Sequence, residues 1–320
     1  MGKGAAPALV AVAALLVVGG VAVGLARDVE VPFLGGDERC TASVGGREVT
    51  VSVEQAENAA TIAAVAARRK LPARAVSIAL ATAYQESDLV NIDYGDRDSL
   101  GLFQQRPSQG WGSKDEVQDP VYAANAFYDA LEKVDGYRSM EITVAAQRVQ
   151  RSGFPDAYAD HESDARVLAS ALSGQSAAAF ACDLDGDVDP AAPDLTAAGL
   201  TDRADAVRRD VRARFGRLPM GGFAPGGVST GHVEGSAHYD GRAVDVFFRP
   251  VTSANRDRGW AVAHYLVAHA RRLDIRTVIF DDRIWVAGRD ATWRDYDAPS
   301  RAGDRAILEH RDHVHVDVFA

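Results

Sequence analysis

The sequence predicts a multidomain fold: an N-terminal transmembrane helix, then a mainly-α domain, then an α+β domain. Three observations carry that expectation. An uncharged apolar stretch opens the chain, helical periodicity dominates the region between its two cysteines, and strict strand alternation closes it. At 320 residues, 47% hydrophobic and 25% charged, the chain has room for two ordinary globular domains.

From Ala5 to Ala26 no residue is charged, and Val, Leu, Ala and Gly dominate. Such a stretch, about 22 residues at ~1.5 Å each, makes a helix of ~33 Å, enough to cross a bilayer core. Residues 1–27 are therefore expected to anchor the protein in the cell membrane as a single pass, with the bulk of the chain extracytoplasmic. The alternative is secretion after cleavage of a signal peptide, with Ala26 at the cleavage site. Residues 28–39 read as a short linker.

Cys40 and Cys182 are the only cysteines, and both lie beyond the apolar stretch. In an oxidising compartment such a pair reads as one disulfide, with two buried free thiols as the alternative. The pair also marks the ends of a domain, 40–182. Within it, CTASVGGREVTVS reads as a small strand pair turning at Gly45-Gly46. VEQAENAATIAAVAARRK is helical and is stopped by Leu71-Pro72, and RAVSIALATAYQES is apolar enough to be a buried core helix. Further helical patterns follow in PVYAANAFYDALEKV, ITVAAQRVQ and DARVLASALSG, with a polar Gly-rich loop at 91–113.

Residues 183–200 are acidic with Pro and Ala and read as an interdomain linker; the DxDGDxD spacing lacks the twelfth-position Glu of a calcium-binding EF-hand loop. From 201 the pattern changes. A helix (ADAVRRDVRARF) leads to the loop GGFAPGGVSTGHVEGSAHYDG and a strand, RAVDVFF. A second helix precedes TVIFDDRIWVA, a hairpin turning at Asp281-Asp282. HVHVDVF closes the chain as a strand.

Net charge is −10, and the basic residues are scattered Arg with only four Lys. That balance argues against a nucleic-acid partner, which needs clustered positive charge.

Two constellations carry chemistry. In the last strand, alternation puts His313, His315 and Asp317 on one face and the valines on the other. SAHYDGRAVD adds a His and an Asp seven residues apart. His238, Asp245 and one terminal His fit the three-ligand count of a catalytic zinc site. The spacing S-x-H-x-x-G-x-A-x-D followed by H-x-H resembles the zinc peptidases grouped as lysostaphin, D-alanyl-D-alanine peptidase and hedgehog-like (LAS) enzymes, nearest to carboxypeptidase-like domains of actinobacterial wall proteins. The resemblance, over about 201–320, implies Zn2+ held by His238, Asp245 and His315. It implies that His313 orients the water or stabilises the oxyanion. It also offers Asp312, three residues before the last ligand, as an acidic base, although strand alternation turns 312 away from 315. The Arg that these enzymes carry before the S-x-H motif is missing from GGFAPGG. His232, His264, His269 and His310 read as structural.

In the mainly-α domain, Glu86 ends a hydrophobic helix, where desolvation raises a carboxyl pKa toward what a glycosidase acid requires. Glu86-Ser87, a polar loop and Ser99-Leu100-Gly101-Leu102-Phe103-Gln104 resemble the E-S…G-L-x-Q signature of the lysozyme-like superfamily, near soluble lytic transglycosylases and goose-type lysozymes, over about 55–175. The resemblance implies Glu86 as the acid and a substrate-side Ser99, Gln104 and Tyr158. A hydrolytic version wants a second carboxylate, for which Asp93, Asp96 and Asp98 are near in sequence. Together the constellations imply peptidoglycan as partner. The function expected is cleavage of its glycan strand by the first domain and of its stem peptide by the second. The alternative is a cell-wall-binding or scaffold protein with one or both sites inactive.

Overall fold

The computed structural model describes residues 38–154 and 156–320, and residues 38–320 form one compact unit. Among the described residues no helix is long and apolar enough to cross a membrane. The expected fold class, which began with a transmembrane helix, is thereby corrected to helices with two antiparallel sheets. The stretch read as that helix, 1–27, lies outside the described residues.

The described residues begin with a hairpin, β1 (Arg39–Val44) and β2 (Arg47–Ser52). Ser52 then caps α1 (Val53–Arg69): its hydroxyl accepts from the Gln55 amide while the Gln55 side chain accepts from the Ser52 amide. This reciprocal pair satisfies two donors that the helix start leaves free. Lys70, in the left-handed region, ends the helix ahead of Pro72. Next comes α2 (Ala73–Ser87), whose Ala75, Val76, Ile78, Ala79, Leu80 and Ala83 are all buried. The short α3 (Lys114–Gln118) packs against α4 (Pro120–Leu131), and α4, α5 (Ile142–Gln150) and α6 (Glu162–Leu172) pack around α2. β3 (Phe180–Asp183) returns to pair with β1, giving the order β2-β1-β3. Cys40 and Cys182 face each other across that pairing and are joined by a disulfide.

After α7 (Asp202–Phe215) come β4 (Met220–Gly221) and β5 (Ala243–Phe247), then α8 (Ser253–Ala268). The hairpin β6 (Ile275–Phe280) and β7 (Arg283–Val286) follows. Asp281 and Asp282 are its two-residue turn, and both adopt positive φ, which matches the twist of the strands. β8 (Arg294–Asp295), α9 (Arg305–Leu308) and β9 (His313–Val318) complete a six-stranded antiparallel sheet ordered β4-β5-β9-β6-β7-β8.

β9 is thus central, and all six of its residues are buried. Val314, Val316 and Val318 join the core with Val244 and Val246 of β5, so the histidines take the other face.

The two sheets and their helices share one core. α8 packs against α1, and His264 Nδ1 donates to the Ala171 carbonyl at 2.8 Å. The indole N–H groups of Trp285 and Trp293 donate to the carbonyls of Cys182 and Phe180, at 2.9 and 2.7 Å. Gly174, with φ +76°, lets the chain after α6 lie against α8; a Cβ there would meet the Asp257 carbonyl at 1.9 Å.

Candidate functional site

The antiparallel register sets Asp245 of β5 directly beside His315 of β9. His238 reaches the same point from a tight turn, where Gly241 N–H donates to the His238 carbonyl and Arg242 N–H to the Ala237 carbonyl. Gly222 closes the far side: a Cβ at this residue would lie 2.2 Å from His238 Cε1, so only glycine admits the ring. The Gly222 carbonyl accepts from His238 Nδ1 at 2.8 Å, which leaves His238 Nε2 as the free lone pair.

Three atoms then converge. His238 Nε2 is 3.1 Å from His315 Nδ1 and 3.2 Å from Asp245 Oδ1, and His315 Nδ1 is 3.1 Å from Asp245 Oδ1. Ligands at ~2.0–2.1 Å around a tetrahedral ion stand ~3.3 Å apart, so this triangle has the size of one face of such a site. On the outer side, His315 Nε2 lies 3.4 Å from Asp317 Oδ2, the arrangement that turns Nδ1 toward the centre. A second grouping that could hold a metal ion, His232 with His238 and Asp245, is wider, its ligand atoms lying within 4.8 Å of one another. The tighter triangle, with its three nearly equal edges, is the better set.

Electrostatics bind the three together. Burial would raise the Asp245 carboxyl, but the neighbouring imidazoles of His238 and His315 hold it well below the usual carboxylate range. Burial would lower His315, but Asp245 and Asp317 on its two ring nitrogens push it up to about 9.

The triangle forms the floor of a cavity of about 440 Å³ whose walls include His232, Phe247, Arg249, Tyr296, Arg301 and His310. His313 turns Nε2 toward Asp245, 3.8 Å from Oδ1, and gives Nδ1 to Asp312 Oδ1 at 2.7 Å. Asp312, just ahead of β9, is buried and also accepts from Arg249 Nε at 2.6 Å. Burial would raise its carboxyl, but these partners keep it low. Asp312 therefore holds the His313 ring from behind. Its alternation, opposite to that of His315, is satisfied in this way.

Sequence reasoning set aside His232 and His310, yet both border this cavity. The His310 ring lies 4.6 Å from that of His313, and burial with two neighbouring imidazoles lowers its pKa to about 2. Sequence reasoning also sought an Arg upstream of the S-x-H motif; Arg249 and Arg301 reach the cavity from downstream segments. His264 and His269 lie away from it, buried where α8 meets α6 and α1.

The second centre is built on the last turn of α2. Ser87 Oγ donates to the Leu102 carbonyl at 2.8 Å, and Gln150 Nε2 donates to the Phe103 carbonyl at 2.7 Å, tying the GLFQ loop to the helix end. Gly101, φ +74°, is packed so closely that a Cβ would meet the Val117 carbonyl at 2.3 Å. Glu86 accepts from the buried Tyr158 hydroxyl at 2.8 Å. Desolvation raises the Glu86 pKa, against the opposing pull of hydrogen bonds from Tyr158 and Gln150.

The other residues predicted near Glu86 serve the loop. Ser99 is buried, and Gln104 Nε2 bonds the Tyr94 and Gly101 carbonyls, each at 3.2 Å. Asp98 is held to about 2 by the Ser108 amide, Arg106 and the Ser108 hydroxyl. Asp93 and Asp96 are exposed.

Residues 196–306, less than half of the chain, match the family model described as VldE, C-terminal domain. The match takes in His238 and Asp245 and ends before His313 and His315. No curated protein matches the chain.

Proposed function

We propose that this chain processes peptidoglycan outside the cytoplasm, cutting stem peptides at a zinc centre of His238, Asp245 and His315 and glycan strands at Glu86. The observation that carries the reading is the triangle of 3.1–3.2 Å between Nε2, Oδ1 and Nδ1 of those three residues on the floor of an open cavity. Two imidazoles and one carboxylate are a donor set that suits zinc, and three protein ligands leave a coordination position free for chemistry. Zinc held there supplies Lewis-acid polarisation of a peptide carbonyl.

The chain's own residues do the rest. His313, oriented by Asp312 and with Nε2 facing the centre, takes a proton from the attacking water and delivers it to the amine nitrogen that leaves as the C–N bond breaks. Arg249, beside Asp312, and Arg301 give the cavity wall cationic groups suited to a substrate carboxylate.

At the other centre, burial shifts Glu86 toward the protonated form that donates to a leaving sugar oxygen, and Tyr158 fixes the carboxyl. Asp98 is committed to Arg106 and Ser108. That favours chemistry with one carboxyl, the transglycosylase type, over a two-carboxylate hydrolysis. The Cys40–Cys182 disulfide supports an oxidising, extracytoplasmic location.

The test is incubation of purified protein and zinc with cell-wall sacculi, followed by mass spectrometry of the released fragments. Glu86→Gln is expected to lose anhydro-muropeptides, and His238→Ala to lose trimmed stems. Release that persists in both variants refutes the assignments. Wall binding without release by the native protein makes it a binding module instead.

A further inference from the structure

The three residues of the tight triangle are fixed by a sheet and a close turn, whereas His232 comes from the loop between β4 and β5. Its imidazole lies on that of His238, ring centres 3.9 Å apart and planes 20° from parallel. Among the described residues its ring nitrogens make no hydrogen bond. Its backbone, in contrast, is held twice by one side chain. The His232 N–H donates to Tyr239 Oη at 2.9 Å, and that hydroxyl donates back to the His232 carbonyl at 2.7 Å. Tyr239 directly follows His238, so the residue that clamps the loop moves with a ligand. Gly231 and Gly235, both at positive φ, flank the segment and leave it free to pivot on that clamp.

A ring placed this way has a nitrogen within 4.8 Å of the donor atoms of His238 and Asp245. Tetrahedral zinc needs ~3.3 Å between donors, so the shortfall toward His238 and Asp245 is at most about 1.5 Å. A small loop displacement about the glycines spans that gap.

We propose that His232 is a displaceable fourth ligand: the loop swings it onto the metal when the cavity is empty, and an entering substrate carbonyl or carboxylate takes its place. The inference rests on the zinc reading of the triangle. It converts a permanently open site into one that is capped at rest, which protects the metal and delays chemistry until a substrate competes. His232 is in this sense a gate, with no part in the proton transfers.

Cobalt(II) is the probe, because its visible absorption reports coordination number and ligand identity directly. Native protein, His232→Ala, Tyr239→Phe and His238→Ala are titrated with Co2+, and azide is then added as a small anionic ligand. The native protein is expected to bind one Co2+ with an intense four-ligand spectrum that resists azide. His232→Ala is expected to bind Co2+ about tenfold more weakly, the lower end of the losses seen when a ligand's support is removed. Its spectrum shifts at low azide. Tyr239→Phe keeps the ring but frees the loop, and falls between the two. If His232→Ala matches the native protein in affinity, spectrum and azide response while His238→Ala loses Co2+, the gate is overturned and the three-ligand centre stands. If the native protein and His238→Ala bind no Co2+ alike, both readings fall.

Discussion

Removing the Tyr158 hydroxyl tests the physics of the Glu86 centre directly. Tyr158 donates to Glu86 Oε1 at 2.8 Å, and its own phenol pKa is pushed up, by burial first and then by the Glu86 charge. It therefore remains a donor throughout the accessible pH range. A hydrogen bond to a charged group contributes roughly 1.5–3 kcal/mol, and 1.36 kcal/mol corresponds to about one pKa unit. Glu86 is only partly buried, so water replaces some of the lost bond and the lower figure applies. Tyr158→Phe is expected to raise the Glu86 pKa further, by about 1 unit, because the bond it removes stabilises the ionised form. The direct assay is a pH titration of the Glu86 carboxyl carbon by NMR in protein labelled at glutamate, with Glu86→Gln assigning the signal. The linkage has the same sign. A carboxyl whose folded pKa lies above the unfolded ~4.3 contributes stability that is complete below that value and is lost as pH rises through the folded pKa. In Tyr158→Phe that loss moves to higher pH. A Glu86 titration that is unmoved or shifted downward in the variant refutes the claim that Tyr158 stabilises the carboxylate.

Gly174→Ala adds a Cβ 1.9 Å from the Asp257 carbonyl at a positive φ, so denaturant unfolding should show a loss of about 3 kcal/mol from strain and overpacking. The Cys40–Cys182 bridge spans a sequence separation of 142, and its removal by Cys40→Ala with Cys182→Ala should cost about 5 kcal/mol in the chain-entropy model, read from the same curves. Burial lowers His264 to about 4 and His269 to about 3, so the stability from their neutral forms is complete above the unfolded ~6.5 and is lost as pH falls toward those values. His264→Phe should flatten the decline in melting temperature between roughly pH 6.5 and 4.5 relative to native protein. Asp317→Asn removes the carboxylate behind His315 Nε2 and should weaken metal binding about tenfold or more, measured by competition with a chromophoric chelator.

What the sequence determined by itself is what local pattern and compartment chemistry reach. Alternation in HVHVDV placed His313 and His315 on one face, because a pleated strand allows nothing else. The spacing from His238 to Asp245 bracketed a turn that only Gly241 permits, with φ +66° and Leu195 pressed against it. An isolated pair of cysteines could close only with each other. Asp281-Asp282 marked a hairpin because both residues tolerate positive φ. The apolar run at the N-terminus spoke of a membrane helix, but that reading rests on residues outside those described, and no described helix fits it.

Tertiary structure alone decided which distant groups meet. Arg249 meets Asp312 only because Phe248 N–H donates to the Asp312 carbonyl, laying the exit of β5 beside the entry to β9. His232 carries no periodic signal, since a glycine-rich loop has no repeat that fixes where a ring points; Tyr239 places it. Tyr158 faces Glu86 across 72 positions of chain, in a segment whose turns set the direction of its phenol. Contacts of this kind depend on how whole elements pack, and packing sums many weak, non-directional contributions that no short window of sequence contains.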